Sequence, residues 1–132
     1  MAIQLGQTVR NNRLDQIESS VGTAAKLLLF AGAVPANCAA ADPASVLATL
    51  ALPSDWMNGA TGGTKTLAGT WTGAASGSGT ALSFRIKDTT GTTCHIQGTV
   101  GMSAADLILD NNSLQSGQTI NVTVFTFTDG NA

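Results

Sequence analysis

Tyrosine is absent from the chain, histidine occurs once, at His95, and charged side chains are only 11% of the residues. General acid–base chemistry draws on His, Tyr, Lys and paired carboxylates, so few groups remain from which to build a catalytic centre, and no enzymatic activity is expected. A single histidine excludes histidine-based metal clusters. Six basic and eight acidic side chains give a net charge of -2, with no basic run and no row of aromatics to hold a phosphate backbone, so nucleic acid is not an expected partner. The longest apolar stretch, Lys26 to Val34, is far too short to span a bilayer. It follows a polar segment carrying Asp15 and Glu18, a poor context for an export signal, and reads instead as a buried strand. Cysteine occurs twice, at Cys38 and Cys94. These are expected as mostly buried free thiols in a reducing compartment, or as one bridge if folding brings their Cα atoms within about 7 Å.

What is present is Gly, Thr, Ser, Ala and short alternating apolar runs. The 132 residues fit one self-sufficient core. The clearest pattern is a β-hairpin over Ala81–Val100. Leu82, Phe84 and Ile86 alternate with Ser83, Arg85 and Lys87; Asp88-Thr89-Thr90-Gly91-Thr92 supplies turn chemistry; then Cys94, Ile96, Gly98 and Val100 alternate with Thr93, His95, Gln97 and Thr99. Each strand is expected to have one wet face, with Cys94 inward and His95 outward. Further strands are expected over 25–30 (apolar on both faces), 46–52 (closed by Pro53), 65–72, 106–110 and 118–128, with 73–79 a mobile glycine-rich loop. In the last strand Ile120, Val122 and Val124 line one face and Phe125 and Phe127 the other, so its final half is expected to be covered on both sides. About seven strands at this spacing predict an all-β fold, an antiparallel β-sandwich of jelly-roll or Greek-key type, over residues 24–132.

Residues 1–23 precede it as an extended arm and one short helix. Thr8 is a plausible N-cap, Arg10, Leu14, Ile17 and Val21 share a face, and Gly22 ends the helix. Its charges oppose the macrodipole and its apolar stripe is thin, so it must dock on something: either its own sandwich or a neighbouring subunit. Under the second alternative, truncation of residues 1–21 should leave a folded β domain. Trp56 and Met57, in a loop, either plug one end of the sandwich or anchor a partner. The candidate interface residues are therefore Arg10, Arg13, Leu14, Ile17, Trp56, Met57, Phe125 and Phe127.

Two chemical readings of the remaining polar groups are weak. Adjacent strand residues face opposite ways, so Cys94 and His95 do not form a nucleophile–base pair. Asp106, Asp110, Asn111 and Asn112 offer oxygens but match no calcium loop, and Asn121-Val122-Thr123, a formal glycosylation acceptor, lies inside a strand. No metal or cofactor is expected.

Several stretches together nevertheless resemble a known family. Met1-Ala2-Ile3-Gln4 through Val9-Arg10-Asn11 and Arg13-Leu14-Asp15-Gln16-Ile17-Glu18, Pro35-Ala36-Asn37-Cys38-Ala39-Ala40-Ala41-Asp42, Leu50-Ala51-Leu52-Pro53-Ser54-Asp55-Trp56-Met57, Gly91-Thr92-Thr93-Cys94-His95-Ile96-Gln97-Gly98-Thr99-Val100 and Gly130-Asn131-Ala132 resemble small proteins of tailed phages and proteobacterial prophages. These are head decoration, or cement, proteins. The resemblance implies a jelly-roll protein on the outer surface of an icosahedral head built from an HK97-like major capsid protein. It further implies assembly in the bacterial host cytoplasm, capsid subunits and its own copies (as a homodimer or homotrimer) as partners, and no catalytic motif. The alternative is a head-fibre or tail-associated β-sandwich that binds a host surface glycan, with Trp56 and Trp71 as its only candidate platforms.

Overall fold

The computed structural model describes residues 3–129; the resemblance at Met1-Ala2 and Gly130-Asn131-Ala132 lies outside them. One helix, α1 (Gln7–Val21), precedes ten strands: β1 (Lys26–Phe30), β2 (Val46–Ala51), β3 (Thr64–Thr66), β4 (Thr72–Ala74), β5 (Gly79–Thr80), β6 (Ser83–Lys87), β7 (Cys94–Gly101), β8 (Leu107–Leu109), β9 (Ser113–Leu114) and β10 (Thr119–Thr128). Eight strands make one curled sheet in the order β2-β1-β6-β7-β8-β10-β3, with β4 also on β10, while β5 and β9 pair separately. The sheet is mixed, which corrects the expected purely antiparallel arrangement: β7 and β8 run parallel through Val100↔Leu107 and Gly101↔Ile108. So short a parallel pair needs no long crossover. Asp106 folds back on Thr99, accepting hydrogen bonds from its N–H (2.9 Å) and hydroxyl (3.1 Å).

The hairpin β6–β7 forms with Phe84 opposite Gly98 and Ile86 opposite Ile96, as the alternation predicts, but Leu82, expected on the same apolar face, lies ahead of β6 and is 48% exposed. Its turn is held by Asp88, whose Oδ1 accepts from the Thr90 hydroxyl and the Thr92 and Thr93 N–H groups. The Thr90 bond, followed by the two backbone bonds, holds that carboxyl down at about 2. β1 is covered on both faces as expected: Leu27 and Leu29 enter the main core, and Leu28 and Phe30 are buried on the opposite side.

The expected wet face of β6 is dry. Arg85 and Lys87 are 2% and 4% exposed, because the 35–43 connection folds over them. Asp42 receives hydrogen bonds from Arg85 Nη1 (2.9 Å) and Lys87 Nζ (2.6 Å), Asn37 O one from Arg85 Nη2 (3.1 Å), and Pro35 O one from Gln97 Nε2 (2.8 Å). Burial pushes the Asp42 carboxyl up, but the Lys87 and Arg85 hydrogen bonds and charges outweigh it, so the group sits below its ordinary 3.8.

Two bulges redistribute side chains between faces. Between β6 and β7 the register slips so that Lys87 pairs with Cys94. His95 is the extra residue, exposed as expected, and Cys94 is carried to the Arg85–Lys87 face instead of the core. In β10 a slip between Val122 and Val124 turns Val124 outward (49% exposed) and Phe125 inward (2%). Ile120, Val122 and Phe125 thus belong to one core, with Phe127 packed against it. The second buried face expected for this strand is absent.

The expected strand 65–72 is broken into β3 and β4. Gly69 takes φ +67, and Trp71 Nε1–H donates to Trp56 O (3.1 Å) and Ala68 O (3.2 Å), which pulls the chain off the ladder. Nor is 73–79 loose: Ser76 and Gly77 N–H donate to Leu47 O (2.8 and 3.1 Å), and Ala75 N–H to Gln118 O (2.8 Å). These bonds draw β4 and its sequel against β2, curling the sheet around a chain of tilted and edge-on rings: Trp56–Trp71 (5.9 Å), Trp71–Phe125 (5.3 Å) and Phe125–Phe84 (5.5 Å).

Two predictions follow from this packing. A Cβ at Gly98 would lie 2.7 Å from Asp106 Oδ2 and 2.8 Å from the Phe84 ring, so Gly98→Ala should lower stability by about 1–3 kcal/mol in urea unfolding. Asp42→Asn leaves two buried cations without an anion and should cost about 2 kcal/mol at neutral pH, the low side because Asp42 is itself partly exposed. Because the folded carboxyl titrates below 3.8, its contribution is complete above that value and is lost as pH falls through the folded value. The difference between wild type and Asp42→Asn should therefore be flat near neutrality and shrink below about pH 4.

Candidate interaction surface

The helix α1 starts two residues earlier than an N-cap at Thr8 predicts. Gly6 occupies the N-cap position with no side-chain cap, no acid lies in the first turn and no base in the last. Such a helix is marginal alone, and tertiary contacts hold it to its own sheet. Leu14 and Val21 are buried, but most of the docking stripe is polar. Arg10 Nη1 donates to Asp129 O (3.1 Å), Asn11 Oδ1 accepts from Gly63 N–H (2.9 Å), Asp15 Oδ1 from Ala60 N–H (2.9 Å) and Glu18 Oε2 from Met57 N–H (3.1 Å). Gly63, at φ +74, leaves space for the Arg10 guanidinium, which a Cβ there would strike.

At the centre is Lys65, 1% exposed, whose Nζ lies 2.8 Å from Asp15 Oδ1 and 3.0 Å from Glu18 Oε1 and donates to Asn58 O (2.9 Å). Burial would discharge the ammonium, but hydrogen bonds to Asp15 and Glu18 and their charges raise its pKa above 10.5 overall. In the other direction the Lys65 hydrogen bond, then that from Ala60, lowers the Asp15 carboxyl.

Four of the eight candidate interface residues are consumed by this fold. Leu14, Trp56, Met57 and Phe125 are 5%, 0%, 1% and 2% exposed. Trp56 and Met57 plug one end of the core, and Trp56 Nε1–H closes on Gly22 O (3.0 Å). Phe127 packs edge-on against Phe125 at 4.9 Å, and Arg10 is turned toward Asp129. Arg13 faces outward, its side chain 57% exposed while pairing with Asp129 (3.3 Å), and Ile17 is half-buried. They line a shallow groove of about 230 Å³ with Gln16, Ser20, His95 and Ile96. Ahead of it the extended segment and first turn display Ile3 (81%) and Val9 (48%), which periodicity did not single out, although two apolar residues off the Leu14 stripe were a visible signal.

Both tryptophans are buried. Among the described residues no three or more His, Cys, Asp or Glu side chains gather as a metal site, and no helix is long and apolar enough to cross a membrane. The oxygens of Asp110 and Asn111 bond to Asn121 and to Ser113 N–H as turn and strand-end groups do. No protein-family model matches the chain, and comparisons with curated proteins and with solved structures likewise return no match.

The double variant Asp15→Asn/Glu18→Gln should cost about 3 kcal/mol by stranding a buried ammonium, whereas the triple variant that adds Lys65→Met, which removes the cation together with its anions, should be nearly neutral; urea unfolding of the two distinguishes them. It also follows that removing residues 1–21 should unfold the β domain, the opposite of the expectation for a freely detachable arm.

Proposed function

We propose that this protein is a head decoration protein, bound to the outside of an HK97-like phage shell, that stabilises the shell by bridging capsid subunits. The observation that carries the reading is the resemblance of the stretches around Val9–Glu18, Pro35–Asp42, Leu50–Met57 and Gly91–Val100 to cement proteins. In keeping with that reading, the curled sheet is a variant of a jelly-roll sandwich, the molecule assembles in the host cytoplasm and joins the virion, and it meets its own copies as a dimer or trimer.

The surface supports the reading in two ways. Three of the six cations, Lys65, Arg85 and Lys87, are buried, so little positive charge is left outside and apolar contacts must carry binding. Val9 supplies such a contact from the first turn of a helix that is clasped to the body, so little ordering entropy is lost when it docks, and Ile3 supplies another from the extended segment ahead of it. The contact is made by the outward face of the N-terminal segment with Arg13 and Ile17, while Trp56, Met57 and Phe125 keep the body rigid. Many copies of a modest interface, repeated by symmetry, are enough to reinforce a shell. The glycan-binding alternative is less favoured, because stacking on sugars needs exposed rings and both tryptophans are inside.

Co-sedimentation with stripped shells of the parent phage, beside the same assay with host cells, tests the reading. Saturable binding to shells is expected, weakened about tenfold or more by Ile3→Asp/Val9→Asp at unchanged thermal stability. Binding to cells but not to shells would overturn the cement role.

A further inference from the structure

The bulge at His95 and the fold of the 35–43 connection bring together the chain's two cysteines, which lie far apart in sequence. Cys94 shares the outer face of the β6–β7 hairpin with Arg85 and Lys87. Cys38 follows Asn37, whose carbonyl accepts from Arg85 on that face (3.1 Å), and Pro35 and Asp42 tie down the flanking chain through Gln97 and Lys87. The flap therefore holds Cys38 above the strand end that carries Cys94, whose thiol donates to Ile96 O (3.6 Å), and the two cysteines are close enough to influence each other's ionisation. Both are free and partly exposed. Neither has a part in the proposed shell contact.

We infer that Cys38 and Cys94 are a latent disulfide that locks the 35–43 flap over the buried Arg85–Lys87 face when the protein meets a disulfide oxidant such as oxidised glutathione. The Cys38 thiolate attacks one sulfur of the oxidant, breaking its S–S bond and forming a mixed disulfide, and one reduced glutathione leaves with a proton. Cys94, as thiolate, then attacks the Cys38 sulfur and expels the second glutathione, which takes up the proton Cys94 gave to solvent. The protein loses two hydrogens and one oxidant becomes two thiols.

The electrostatics order these steps. Burial first, and the neighbouring Cys38 second, push the Cys94 thiol up to about 12, against the opposing pull of Arg85 and Lys87. Cys94 is thus a poor first nucleophile, so Cys38, on the flap, reacts first. Once Cys38 is in a mixed disulfide its charge no longer opposes ionisation of Cys94; burial still does, and the two cations still favour it. The same cations favour the second attack.

The test uses the full chain, reduced, then equilibrated without denaturant in oxidised and reduced glutathione, quenched with acid, alkylated and weighed intact. The expected result is a chain lighter by two hydrogens that takes up no alkyl group, with the Cys38 and Cys94 peptides joined in a non-reducing digest. Cys38→Ser and Cys94→Ser should each keep one thiol, free or glutathionylated. Amide exchange over 37–42 should slow in the oxidised chain. Two alkylated thiols under oxidising conditions, arrest at one bound glutathione, disulfides between chains, or a bridge that forms only in denaturant would each overturn the inference.

Discussion

Three buried cations are the constraint on which the rest of this structure depends. Lys65, Arg85 and Lys87 lie on β3 and β6 with almost no exposure, and a charge taken out of water is tolerated only where anions and hydrogen bonds replace its hydration. Those anions are brought by segments remote in the chain: Asp15 and Glu18 by α1, Asp42 by the connection between β1 and β2. The two elements with the least structure of their own, an uncapped helix and an irregular flap, are therefore the ones fastened by ion pairs. Net stabilisation from such pairs is modest, since desolvation offsets most of the attraction. Their effect here is specificity: a position of α1 or of the flap that failed to meet its cation would leave a buried charge bare.

Beneath these clasps the core is a continuous one. Trp56 enters from a loop, Trp71 from the break between β3 and β4, Phe125 from β10 and Phe84 from β6, each ring in contact with the next. The bulge in β10 keeps the strand in this core by exchanging faces at Val124, so ten residues of strand serve one interior. Hydrogen bonds from Ser76 and Gly77 to Leu47 then bring the two ends of the curled sheet together. The result is a continuous body with its helix held in place. On the outer side of the N-terminal segment Ile3, Val9 and Arg13 are exposed, whereas both tryptophans are buried.

How much of this was legible in the residues differs by element. The β6–β7 hairpin, its Asp88 turn and the doubly buried β1 follow from periodicity and turn chemistry, because strand alternation and the hydrogen bonding of Asp88 are local properties. That four of the eight candidate interface residues would be buried in the chain's own core was not legible. Trp56, Met57, Leu14 and Phe125 are large and apolar whether they fill a core or anchor a partner, and a hydrophobic side chain does not state which apolar surface it will meet. The polar docking stripe of α1 was invisible for the converse reason: Asn11, Asp15 and Glu18 read as a solvated helix face until Gly63, Lys65 and Ala60 are placed beneath them.

The sequence by itself determined a β-rich chain, one weak helix, the main hairpin and a composition poor in catalytic groups, since these rest on propensity and on contacts between near neighbours. Only the tertiary structure decided that β7 and β8 run parallel, that bulges carry Cys94 out of the core and Phe125 into it, and that the alternating cations of β6 are dry. A one-residue slip leaves composition and periodicity unchanged while reversing every face beyond it. Whether Arg85 and Lys87 meet water or Asp42 is settled by where the chain returns more than forty residues away, which no local pattern encodes.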